Sequence, residues 1–108
     1  MSQHVSLDLI SAMNHARHTK AWVVVVCPND SQMMTYRRTL AASITSEDRY
    51  SGRTAKLHGG GTLSVVSQVD EPFQPDGQPI TVAFFGLWSQ QQAVDRMHIW
   101  RKAAAEIL

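Results

Sequence analysis

Hydrophobic spacing divides the chain into helical and extended stretches. Val5, Leu9, Ala12, Met13 and Ala16 recur every three or four residues and paint one face of a helix that ends near Thr19, with Ser2 or Ser6 available to cap its start. Trp22 to Cys27, a β-branched run with no polar alternation, suits a strand covered on both faces in the middle of a parallel sheet. Pro28 ends it. Asn29, Asp30 or Ser31 then caps a second helix whose stripe is Met33, Tyr36, Leu40 and Ile44.

From Thr45 to Gly61 the chain is polar and glycine-bearing, which predicts a surface loop leading to a strand over Thr62–Val69. Strand, crossover helix and strand imply a right-handed β-α-β unit with parallel pairing. Asp70 to Pro79 holds three prolines and a Pro-Asp-Gly turn, and it separates that strand from the apolar run Ile80–Trp88. These last two strands can form a hairpin or lie parallel. Ser89 and Gln92 fit a capping box before a closing helix striped by Ala93, Val94, Met97, Trp100, Ala104 and Ile107. The expectation is one α/β domain over residues 1–108, in two or three layers, ordered α-β-α-β-β-α around an at least partly parallel three-stranded sheet.

Composition narrows the classes of function. With 108 residues and 44% hydrophobic content, one core is expected. No apolar run reaches the roughly 20 residues a membrane span needs, and the start lacks a signal-peptide layout, so a cytoplasmic protein without a membrane partner is expected. The lone Cys27 reads as a buried thiol at a strand end. A net charge of +1 gives no long-range pull toward polyanions. Locally, Arg37, Arg38, Arg49, Arg53 and Lys56 outnumber Glu47 and Asp48, whereas Asp70, Glu71 and Asp76 crowd one later loop.

Gly59-Gly60-Gly61 precede a strand, the reverse of a phosphate loop, and no Gly-Lys-Ser or Gly-Lys-Thr follows. His58 with the glycines spells part of an esterase oxyanion loop, but the Gly-x-Ser-x-Gly nucleophile elbow is absent. A turn that uses positive φ or close backbone approach is the expectation. His4, Asp8, Ser11, His15 and His18 fall opposite the apolar stripe of the first helix; His15 and His18 supply two metal ligands at most, so a solvated face is expected, with no metal and no cofactor. Asp95 and His98 read as a surface pair, and Trp88 and Trp100 as packing. Tyr36, Arg37, Arg38, Arg49, Tyr50, Arg53, Lys56 and His58 form the candidate partner-binding set, because arginine with tyrosine combines phosphate contact and base stacking.

Ser11 to Ile44 followed by Gly59 to Ser67 resembles the stretch behind the phosphate loop in RecA-like motor ATPases, particularly phage terminase large subunits and superfamily 2 helicases. The likeness spans residues 7–67 and implies a phage-encoded, degenerate half domain. Pro28, Asn29 and Gln32 match a turn that contacts nucleic acid in some members. The strand from Ile80 stands where the acidic magnesium-binding strand ends, yet it runs into Phe85, Gly86, Leu87 and Trp88 with no Asp-Glu pair. ATP hydrolysis is therefore not expected.

The leading expectation is a non-enzymatic protein that binds a protein or nucleic acid through its basic helix-loop region. One alternative is a small enzyme using His58 as a base on a phosphorylated or acyl substrate. Another is a homodimer built on Trp88, Trp100 and the strand from Ile80.

Overall fold

In the computed structural model residues 2–73, 77–89 and 91–108 are described, apart from the side chains of residues 2, 3 and 92. Helix α1 (Ser2–Thr19) precedes strand β1 (Trp22–Cys27), and helix α2 (Asp30–Ser43) follows it. Then come β2 (Arg49–Ser51), β3 (Thr54–Lys56), β4 (Thr62–Ser67), β5 (Ile80–Phe84), α3 (Gln91–Ala103) and β6 (Ala104–Ile107). The strands build one sheet in the order β2-β3-β4-β1-β5-β6. β1 is parallel to both neighbours, β4 and β5, and β6 is parallel to β5, while β2, β3 and β4 pair antiparallel. The choice between hairpin and parallel arrangement resolves accordingly: β4 and β5 run the same way with β1 between them.

Two expectations are corrected. The segment 45–61 is not all loop. Arg49–Ser51 and Thr54–Lys56 form a hairpin around Gly52-Arg53, and Gly52 takes the positive φ, 60°, that a two-residue turn asks of its first position. The last helix stops at Ala103 rather than running through Ile107. Ala104–Ile107 instead covers the open edge of β5, whose backbone groups need partners, and Leu108 N–H adds a bond to Val82 C=O at 2.8 Å. The proposed Ser89–Gln92 box, the Ser2 cap and the Pro75-Asp76 half of the later turn lie outside the described side chains and residues.

Helices cover both faces. Val23, Val25 and Cys27 of β1 pack with Leu63, Val65, Leu9, Met13, Tyr36 and Leu40 beneath α1 and α2. Val24 and Val26 join Val66, Ile80, Val82 and Trp100 of α3 on the other face. This double burial accounts for the unbroken valine run. Cys27 is fully buried, and burial pushes its thiol up to about 12, so it stays protonated. As expected, Asn29 caps α2, its Oδ1 accepting the Gln32 N–H at 2.9 Å.

The glycine triplet closes a turn in which Leu57 N–H bonds Gly61 C=O at 3.0 Å and Gly60 N–H bonds Leu57 C=O at 3.1 Å. Its purpose is proximity. Gly61, at φ 86°, lies so close to the end of α1 that a Cβ would overlap the Ala16 carbonyl and fall 3.1 Å from Arg17 N.

Candidate functional site

Strand alternation decides which side chains share a face. Ala55 and Leu63 point into the core beneath α1 and α2, with Tyr50 packed against it. Arg49, Ser51, Thr54, Lys56, Thr62 and Ser64 therefore project from the opposite face. Across the strands Arg49 stands beside Lys56, Lys56 beside Thr62 and Thr62 beside Trp22. α3 lies on β5 and β6, so no described helix covers this half of the sheet. Arg49 and Lys56 are exposed.

The inner border of that strip is aromatic. Trp22 and Phe73 meet edge to face at 6.3 Å, and the Arg53 guanidinium lies 4.7 Å above the Phe73 ring. Ser64 Oγ accepts the Trp22 indole N–H at 2.9 Å and sits 2.9 Å from Thr54 Oγ1, which ties the hydroxyl row to the aromatic border. Arg49 and Lys56 face each other across an antiparallel pair, an arrangement that destabilises the hairpin. Among the described residues neither they nor Arg53 meets a carboxylate.

The eight residues singled out from sequence thus separate into groups. Arg49, Arg53 and Lys56 converge on the strip. Arg37 sits on α2 and donates from Nε to the Val65 C=O at 2.9 Å, on the residue whose own N–H donates to the Arg53 C=O. Arg38 is exposed on the outer surface of α2. Tyr50 packs against the core beneath α1 and α2. Tyr36 is not a surface platform: only 2% exposed, it donates its hydroxyl to Asp8 Oδ2 at 2.7 Å and stacks on Phe85. Burial first, and the Asp8 carboxylate second, raise the Tyr36 phenol above its ordinary value. Asp8, expected on a solvated face, is accordingly a half-buried acceptor. The sequence does not bring Trp22, Thr54, Thr62, Ser64 and Phe73 together, because their shared face depends on the hairpin and on strand pairing; Gly52-Arg53 between two short alternating stretches is the available signal.

His58 is exposed, with Nε2 2.9 Å from Glu47 Oε2, and it does not line the cavities of about 420, 350 and 170 Å³. Its backbone matters more. His58 N–H and Thr45 N–H donate to the buried Asp48 carboxylate at 2.7 and 2.9 Å, and Arg17 Nη2 lies 3.3 Å away. Burial alone would raise the Asp48 carboxyl, but these two amides and the guanidinium outweigh it and hold it below the ordinary carboxylate range. The lowered native value means that Asp48 contributes its full stabilisation above the unfolded pKa of about 3.9 and loses it as pH falls through the native one. Asp48→Asn is expected to lower stability by about 2–4 kcal/mol at neutral pH and to flatten the acid limb below about pH 5, as urea midpoints across pH will read.

A second feature lies at the carboxyl ends of β1 and β5, where α2 and α3 leave toward opposite faces. Such switch points leave a crevice in open α/β sheets. Here a pocket of about 420 Å³ opens between the starts of α1 and α2 and the segment after β5, lined by His4, Val5, Gln32, Thr35, Tyr36, Gly86 and Leu87. A smaller one, about 170 Å³, adjoins Pro28, Asn29 and Ser89. Gln32 Oε1 accepts the Leu87 N–H at 2.8 Å between the two. Of the residues matched by the RecA-like resemblance, Pro28 is buried, Asn29 is occupied as a cap and Gln32 holds this loop.

No group of three or more His, Cys, Asp or Glu side chains is arranged around a common point among the described residues. No described helix is long and apolar enough to cross a membrane. Comparison with protein-family models, with curated proteins and with solved structures finds no match.

Proposed function

We propose that the chain is a non-enzymatic binding protein of the cytoplasm that takes an extended polyanion, single-stranded nucleic acid, across the uncovered β2-β3-β4 face. The observation that carries this reading is the Arg49–Lys56 cross-strand pair, two like charges held side by side with no carboxylate between them among the described residues. A row of phosphates would relieve that repulsion. The hydroxyls of Ser51, Thr54 and Thr62 offer further phosphate contacts, and Arg53 over Phe73 offers a stack that a base can extend. A phage-encoded, degenerate RecA-like ancestry belongs to the same proposal, shorn of phosphoryl transfer because no acidic pair follows β5.

The enzyme alternative needs His58 in a cleft, and its exposed pairing with Glu47 supports binding instead. The homodimer alternative needs free Trp88, Trp100 and β5, whereas Trp100 is buried, Trp88 meets Phe84 edge to face and donates to the Phe85 C=O, and β5 has a partner on each side. An oligothymidylate titration in rising salt tests the proposal. Arg49→Ala with Lys56→Ala is expected to weaken binding, to lower the slope of log affinity against log salt by roughly 1.4, about 0.7 per lost phosphate contact, and to leave the melting temperature unchanged or raised. Wild-type protein that retains no oligonucleotide at low salt, or a double variant that binds as before, overturns it; an acidic protein partner would emerge from the first outcome.

A further inference from the structure

The pocket at the carboxyl ends of β1 and β5 is separate from the basic strip, and its lining specifies a ligand of its own. Its lining combines Val5, Leu87 and Tyr36, the last almost wholly buried and backed by Phe85 at 6.0 Å in a near-parallel stack. At about 420 Å³ it falls within the size range of small-molecule sites. Its shape depends on Gly86: at φ 98°, a Cβ there would overlap Gln32 Oε1 and come within 2.9 Å of Pro28 Cδ. Leu87 is held at its backbone by Gln32, yet its side chain is 79% exposed, a large apolar group kept beside the opening rather than folded into the core.

The polar groups of this wall differ in what they leave free. Thr35 Oγ1 donates to Ser31 C=O at 3.2 Å and Tyr36 donates to Asp8, so both hydroxyl protons are engaged within the protein. Gln32 is different. The Leu87 N–H needs an acceptor and so fixes which amide atom faces it, leaving Nε2 with no acceptor among the described residues. We infer that this pocket binds a small apolar molecule bearing a carbonyl, its apolar part against the exposed Leu87 side chain and its oxygen accepting from Gln32 Nε2.

Two probes of one shape separate this from general greasiness: benzamide presents a carbonyl acceptor, whereas benzamidine presents only donors. In nitrogen–proton correlation spectra of the intact protein, benzamide is expected to shift the Thr35, Gly86 and Leu87 amides saturably. Gln32→Glu keeps the acceptor for Leu87 N–H but removes the donor. It is expected to lower benzamide affinity by about fivefold, the worth of one hydrogen bond, and to reverse the preference toward benzamidine. Thr35→Phe, which fills the pocket, should abolish both responses; its unchanged spectrum elsewhere will show that it is folded. Absence of saturable shifts at those amides with either probe, or an unreversed preference in Gln32→Glu, overturns the inference.

Discussion

Gly61→Ala is expected to cost about 2–5 kcal/mol, the sum of roughly 1–2 for a left-handed side-chain-bearing residue and about 1–3 for overpacking against backbone. Such a loss removes a large part of the roughly 5–15 kcal/mol that keeps a domain folded. The reason lies in what the new methyl meets. Ala16 O and Arg17 N belong to the last turn of α1 and cannot swing aside as a lysine tip can. Gly59 supplies the control, since it has nearly the same φ, 84°, and nothing within 4 Å of a Cβ. Gly59→Ala should therefore cost only the conformational part, about 1–2 kcal/mol. Equal urea midpoints for the two variants would show that the turn needs glycine for φ alone.

The second large effect is expected at Trp100. It is fully buried, seals the face carrying Val24, Val26 and Val82, and meets Phe73 edge to face at 6.3 Å. Trp100→Ala should cost about 3–5 kcal/mol through the cavity and the lost transfer free energy. Its consequences extend to the basic strip. Arg96 donates to the Gln68 and Asp70 carbonyls at 2.7 and 3.0 Å, and Trp100 Nε1 lies 3.4 Å from Gln68 C=O, so α3 anchors the segment that delivers Phe73 beneath Arg53. Oligothymidylate affinity should consequently fall in Trp100→Ala even where circular dichroism still reports folded protein, and fall less in Trp100→Phe. Affinity that stays constant while stability drops would separate the strip from the core beneath it.

Elements marked by a long periodic pattern were legible before the fold was known. α1 ends at Thr19 and β1 spans Trp22–Cys27 as read from spacing, because burial on one face or on both leaves an unambiguous composition. β2 and β3 were not legible in that way. At three residues each they hold a single inward position flanked by polar ones, Tyr50 in one and Ala55 in the other, too short for alternation to stand out. β6 escaped for another reason: Ala104 and Ile107 lie three apart, a spacing that serves a helical stripe, and only the unfilled edge of β5 decides between the forms. The candidate site suffered accordingly. Arg49, Arg53 and Lys56 were found by charge, but charge could not tell that Tyr36 faces inward or that Trp22 shares a surface with Lys56. Both facts come from pairing partners distant in sequence.

The middle strand of the sheet is also its first. Trp22–Cys27 can pair only with segments that begin at Thr62 and Ile80, so most of the polypeptide must leave the ribosome before either flank is satisfied. Until then four consecutive valines present bare edges on a nascent chain, a short window of high β-propensity without charge or proline inside it. Exposure of bare strand edges during synthesis is the vulnerability that this strand order builds in.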